Sequence, residues 1–273
     1  MQKCLFAILL CSITLCPTLT RSSAKTTEAT SSAATVQNTR NWTITIPLWI
    51  PGYAGQFAVG DVEVDGESSG GSGLGRLFDN EFKINFAFMG SFSYERNRWR
   101  IHGDMFGGKF ADDVIFKRTG GTVVSASLRP LIPRLHLDYR ALDRTWGDSG
   151  TQGVQGWTYA GVRYYNVAAE VDIAQQTESL TADWADPIVG VWIPVDLSNR
   201  WWVELSGDVG GFGVGSKLSW GIYTGVTYRV SALISFTLAY NILDVDYEGT
   251  VASQNFFWRA RVAGPGFGIR FTF

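Results

Sequence analysis

From residue 41 onward the chain alternates between large apolar and small or polar residues, and it does so in segments. Leu218, Trp220, Ile222, Val226 and Tyr228 are separated by Ser219, Gly221, Tyr223, Gly225 and Thr227. Ile234, Phe236, Leu238, Tyr240 and Ile242 oppose Ser235, Thr237, Ala239 and Asn241. Phe82, Ile84, Phe86, Phe88, Phe92 and Tyr94 oppose Lys83, Asn85, Ser91, Ser93 and Glu95, and Trp201, Val203 and Leu205 oppose Trp202, Glu204, Ser206 and Asp208. Successive side chains of a strand point to opposite sheet faces, so each segment predicts a strand with one apolar face.

A soluble sandwich gives the same alternation. Two features favour a membrane-spanning barrel instead: the apolar sets are rich in large aromatics, and the segments have the ~9–11 residues of a tilted spanning strand. No apolar stretch reaches the ~20 residues of a spanning helix. Closing the sheet on itself satisfies every backbone group in lipid. The expected fold is therefore all-β, an antiparallel up-and-down barrel of ten strands. They fall at about 41–50, 82–95, 98–108, 122–140, 156–167, 184–195, 200–208, 217–229, 232–244 and 257–273. Eight or twelve are the alternative counts, since 53–64 can supply a further strand. An even count puts both termini on the periplasmic side. Tight turns fall near Glu95–Arg98, Asp196–Arg200 and Arg229–Ala232. Long external loops are expected at 51–81, 108–121, 168–182, 208–217 and 246–255, the first with a short helix over Gly73–Asn80. The turn at 142–154 is long for its periplasmic side. Pro130 and Pro133 cannot donate to a ladder, which predicts a bulge or irregular strand between Arg129 and Arg134.

The N-terminus belongs to a different category. Lys3, the apolar run Cys4 to Leu15 and the small residues Ser22-Ser23-Ala24 read as a secretory signal over 1–24, excluded from the fold. A lipid-modified Cys16 would need a small residue before it, and Leu15 is not small. Residues 25–40 are rich in Ser, Thr and Ala and read as a flexible periplasmic leader, leaving 41–273 for the barrel. Export strengthens the barrel reading. All three cysteines (Cys4, Cys11, Cys16) lie in the signal, so the mature chain has no disulfide and no cysteine-type metal site. Losing Lys3 and Arg21 with no acid leaves 21 basic against 25 acidic residues, a net charge of −4. A mildly acidic chain without a basic run argues against nucleic acid as a partner.

At the C-terminus, Phe267, Ile269, Phe271 and Phe273 alternate with Gly266, Gly268, Arg270 and Thr272. An apolar alternating last strand ending on Phe looks like the signal read by the outer-membrane assembly machinery, which captures an unpaired edge before it aggregates. Several blocks extend the likeness along the barrel. They are Trp49-Ile50-Pro51-Gly52, Leu77-Phe78-Asp79-Asn80, Phe86-Ala87-Phe88-Met89-Gly90, Asp183-Trp184-Ala185-Asp186-Pro187-Ile188-Val189-Gly190, Gly207 to Ser216, Leu243-Asp244-Val245-Asp246-Tyr247-Glu248 and Gly264-Pro265-Gly266-Phe267-Gly268. On these the chain resembles a largely uncharacterised family of small, porin-like outer-membrane barrel proteins of Gram-negative bacteria. The resemblance implies the fold, an outer-membrane location and contact with lipid and lipopolysaccharide. It brings no activity with it.

The candidate chemistry lies on the inward faces: Lys83, Arg100, His102, Asp104, Arg134, Asp138, Arg163, Asp186, Glu204 and Asp208. These charges either pair and fill the barrel or line a narrow aqueous path. A ten-stranded barrel has little spare lumen, which favours filling. His102 and His136, the only histidines, face inward on adjacent strands beside Asp104 and Asp138. They read as polar members of the wall rather than an acid–base pair, and no catalytic residue, metal ligand or cofactor is assigned. Asp244, Asp246 and Glu248 form an external acidic rim without the glycine and ligand spacing of a calcium loop. The expected role is non-enzymatic, structural or in passage of small solutes. The alternative is a surface binding or adhesion barrel acting through its external loops.

Overall fold

The computed structural model describes residues 41–59, 62–67, 87–115, 123–147, 150–173 and 176–273. The signal, the leader, the Gly73–Asn80 helix and Lys83 lie outside the described residues. Among those described are thirteen strands and no helix: β1 (Trp42–Trp49), β2 (Gly52–Val59), β3 (Val62–Glu67), β4 (Ala87–Arg96), β5 (Trp99–Gly108), β6 (Phe110–Ile115), β7 (Val123–Trp146), β8 (Gln152–Ile173), β9 (Gln176–Asp196), β10 (Trp201–Gly210), β11 (Leu218–Arg229), β12 (Ile234–Val251) and β13 (Gln254–Thr272).

Ten of them close a ring, β1-β4-β5-β7-β8-β9-β10-β11-β12-β13, with β13 returning to β1 and every pair antiparallel. The expected count of ten is the count of the ring. Its seam joins the two chain ends: Phe273 N donates to Trp42 O at 2.9 Å, and Trp42 N to Phe273 O at 3.3 Å.

β2, β3 and β6 belong to one end of this ring. β1 and β2 pair with β13 in a single register, from Thr43↔Thr272 to Val59↔Phe256, interrupted only where Ile50 and Pro51 meet Pro265 and Gly264. They form one strand broken by two prolines that cannot donate. β5 and β6 likewise share one register against β7, broken at Lys109 opposite the Arg129–Pro130 step.

The expected long loops need correction. In the described parts of 51–81, 108–121, 168–182 and 246–255, the chain continues as strand. The pattern hid this because its phase inverts. On β12 the outward Phe236, Leu238, Tyr240 and Ile242 give way at the same parity to Asp244, Asp246 and Glu248, while Val245 turns inward and is buried. On β13 the outward Phe267 is succeeded by Arg261 and Arg259, and Trp258 and Val262 are buried inside. Beyond the lipid, water takes the outer face and apolar residues move inward. The β12–β13 turn was equally silent: Ala252 and Ser253 both take positive φ (49° and 67°), a geometry usually announced by Asn-Gly.

Two further expectations change. The 142–154 segment is strand up to Trp146 and again from Gln152, so the periplasmic turn is short. Pro130 and Pro133 interrupt pairing without shifting register, and the bulge falls at Ala141, between Arg140 and Leu142.

The outer face of the ring is apolar. Ile46, Leu48, Leu135, Leu205 and Leu238 each expose half or more of their surface to the outside. At the end of the ring that carries the tight turns and the chain terminus, the belt ends in cross-strand aromatic pairs: Trp42–Tyr94, Trp99–Tyr139 and Trp201–Tyr228, with ring centroids 4.6, 5.0 and 4.7 Å apart. An apolar band ending in aromatics is how a barrel meets a bilayer.

The position of the lipid boundary is testable by paired substitutions. Leu238→Arg, mid-belt on β12, should cost about 2–4 kcal/mol, whereas Thr181→Arg, exposed on β9 beyond the inversion, should cost under about 1 kcal/mol. Denaturant unfolding in lipid vesicles reads both; equal costs would remove the boundary.

Candidate functional site

The lumen has two halves that differ in chemistry. In the half enclosed by the belt, the predicted inward charges among the described residues, which leave out Lys83, face away from the belt, and each acid is held. Asp208 of β10 accepts two hydrogen bonds from Arg163 Nη2 of β8 (2.6 and 2.8 Å), one from Arg134 Nη1 of β7 (2.6 Å) and one from Tyr159 OH (3.3 Å). Arg134 also donates through Nε to Asp104 of β5 at 2.8 Å, and His102 Nε2 lies 3.4 Å from the same carboxylate. One chain of charges thus runs from β5 to β10.

Tyr159 bridges over β9 because β9 has no side chain there. A Cβ on Gly190 would collide with the Tyr159 ring, and Gly190 pairs with Tyr159 on one side and Asp208 on the other. Asp138, fully buried, takes Arg100 Nε and Nη2 on one oxygen and His136 Nδ1 on the other. The Arg100 guanidinium lies 3.8 Å from the centroid of Trp192, a cation–π contact in a dry setting. Glu204 of β10 accepts from Arg270 of β13 (2.7 Å) and from Trp192, Trp202 and Thr227 (3.2 Å each). Asp186 accepts from Ser216 N (2.6 Å) and Ser219 Oγ (2.8 Å), which draws the β10–β11 loop over the inner wall.

The other half is an apolar plug. β10 and β11 stop at Gly210 and Leu218, so β9 and β12 meet across the gap: Trp184 stacks on Tyr247 at 3.7 Å and 11°. Trp184 also stacks on Tyr165 at 4.7 Å and meets Trp258 edge-on at 5.9 Å. From there one buried apolar cluster extends across the barrel through Phe256, Tyr53 and Phe57 to Phe106, Phe110, Leu128 and Ile132.

Outside the belt, the acidic rim is paired. Asp244 meets Arg261 at 2.8 Å, Asp246 meets Arg259 at 3.3 Å, and Glu248 meets Lys217. The hydrogen bond from Lys217 holds the Glu248 carboxyl below its usual range. These acids face cations rather than a vacant calcium loop.

Sequence reasoning missed Tyr159, Arg270 and the plug. Arg270 was legible, since it shares the inward parity of Gly266 and Gly268; the plug was not, because Tyr53, Phe57, Phe110 and Tyr247 fell in segments read as loops.

No protein-family model and no curated protein matches the sequence. Among solved structures, the outer membrane protease OmpT from Escherichia coli is similar with a TM-score of 0.50 at 8% identity, covering 86% of this chain and 98% of that one. The outer membrane protein OprG from Pseudomonas aeruginosa aligns at 13% identity and a TM-score of 0.37, over 85% of this chain and 97% of that one. At these identities the likeness concerns the fold. The fold is that of a bacterial outer-membrane β-barrel, and the apolar belt is the physical reason for that location.

Asp208→Ala would leave Arg134 and Arg163 without their shared carboxylate. Removing one partner from a buried ionic cluster should cost about 3–5 kcal/mol. Denaturant titration in detergent micelles measures it, and a loss under about 1 kcal/mol would mean that water screens the lumen.

Proposed function

We propose that this protein is a closed, non-conducting and non-catalytic barrel of the outer membrane, which carries an ordered β-structured collar on the outer surface. The observation that supports it is the apolar cluster across the external half of the lumen, with Trp184 in ring contact with both Tyr247 and Trp258. Water and ions do not cross a packed aromatic layer of that kind, because each desolvated charge costs several kcal/mol. Behind it, Arg134–Asp208 and Arg270–Glu204 tie non-adjacent strands across the polar half. Those four charges are committed to one another, so none of them is free to act as acid or base in hydrolysis, and the plug interrupts the polar wall that a permeant solute would follow.

The partners on this reading are the membrane lipids and lipopolysaccharide around the belt. During insertion, the assembly machinery takes the terminal strand through Phe267, Ile269, Phe271 and Phe273.

A second reading, surface binding through the external collar, is supported by the continuation of β7, β8, β9, β12 and β13 beyond the belt with polar outer faces. Its effector would be that collar, including the 51–81 segment, of which 52–59 and 62–67 are strand.

Planar-bilayer recording of the purified barrel separates the closed reading from a channel. No stepwise conductance is expected at any applied voltage; reproducible single-channel steps would overturn it.

A further inference from the structure

One pair of inward rings touches the ion-pair network through one nitrogen each, which leaves the other nitrogen of each ring outside it. His102 on β5 and His136 on β7 are direct cross-strand partners, with rings stacked 4.8 Å apart. Asp104 lies two residues along β5 on the same face. Donor atoms of His102, Asp104 and His136 all lie within 4.8 Å of one another. The ligands of a tetrahedral zinc ion, bound at about 2.0–2.1 Å, stand ~3.4 Å apart, so the three donors hold one ion once side-chain rotations draw them together by about 1 Å and turn the stacked imidazoles towards it.

The protonation pattern suits a metal. Asp138 is a carboxylate acceptor bonded to His136 Nδ1, so that nitrogen carries the proton and the Nε2 lone pair is left for a ligand. A carboxylate behind a histidine is the arrangement that fixes tautomer and orientation in metal sites. His102 Nδ1 is buried without a hydrogen-bond partner among the described residues, an orphan that coordination through Nδ1 would satisfy. The Asp104 carboxylate has only Oδ2 committed, to Arg134.

The approach is open from the polar side. His102, Asp104 and Arg134 keep 22%, 15% and 21% of their side-chain surface exposed within the lumen. The neighbours in the same rows are small: Thr43 and Ser93 beside His102, Thr45 and Ser91 beside Asp104. Across the seam the same rows continue to Thr272 opposite Thr43 and to Arg270 opposite Thr45, with the Arg270 guanidinium drawn away to Glu204, and the next inward residues of β13 are Gly268 and Gly266.

We propose that His102, His136 and Asp104 form a binding site for a divalent transition cation, reached from the periplasmic side, with Asp138 as the residue that orients His136. The two-nitrogen, one-oxygen donor set selects Zn²⁺, Cu²⁺ or Ni²⁺ over Mg²⁺ or Ca²⁺. The site lies on the polar side of the plug, so it stands whether or not the barrel conducts.

The test is Zn²⁺ titration of the full chain, without a histidine tag, purified from membranes and stripped with chelator. Its only histidines are these two, which makes the assignment clean. The expected result is one zinc per barrel, a visible d–d absorption when Co²⁺ replaces Zn²⁺, and no uptake of Mg²⁺. His136→Ala and His102→Ala should each weaken zinc binding about 100-fold or more. Asp138→Asn should weaken it roughly 10–100-fold, as expected of an orienting residue. Should the alanine variants fail to fold, His102→Gln and His136→Gln retain a polar side chain and serve the same purpose. Absence of stoichiometric zinc on the folded parent, or unchanged binding in the double histidine variant, would overturn the proposal.

Discussion

In the hydrocarbon of a bilayer no water is available to satisfy an exposed N–H or C=O, and that constraint fixes the rest of this structure. A strand cannot enter lipid with a free edge, so the last strand must find the first. Here β13 does so over the full length of β1, from Thr272 opposite Thr43 to Gly266 opposite Trp49. The terminal alternation of Phe267 with Phe271 and Phe273 is therefore more than an apolar face. It belongs to the strand whose pairing removes both remaining edges at once. Three of the prolines follow the same rule: Pro51, Pro130 and Pro265 each lack a ladder partner on one side, at a break in the pairing where the belt gives way to the collar.

Closure in lipid also decides where apolar residues go. Within the belt the lipid takes the large side chains, and the lumen receives what lipid rejects. Above it, water takes the outer face, and Trp184, Tyr247, Trp258 and Phe256 move inward to form a core of the ordinary soluble kind. A single strand such as β12 crosses both regimes without changing register, from Ile234↔Phe271 to Val251↔Gln254. What changes is the solvent.

This explains how much the sequence reveals. The belt half is legible, because its alternation, aromatic ends and inward charges follow directly from the strand period. Ten strands and the inner-wall positions of Arg100, Asp138, Arg163, Glu204 and Asp208 can be read from it. The collar is not legible, since an inverted phase with small residues such as Ala169 and Ala182 resembles a polar loop when viewed through an expectation of outward hydrophobicity. Nor are the partners within the lumen. That Tyr159 reaches Asp208 depends on Gly190 being bare at one register position of an intervening strand. Parity says which way a side chain points; only the register around the ring says what it meets.

The charged lumen has a further role that an apolar one could not fill. Between lipid and an apolar interior a strand would have no preferred face, because both are equally dry. Filling the inside with Arg163, Asp208, Glu204 and Asp138 breaks that symmetry. A slip of one residue would turn these groups into hydrocarbon, at about 2–4 kcal/mol for each arginine at the midplane, and would also strand their partners. The collar needs no such device, since water on its outer face already distinguishes the two sides through the hydrophobic effect. The ion pairs therefore sit where burial of apolar surface cannot specify register, and the aromatic core sits where it can.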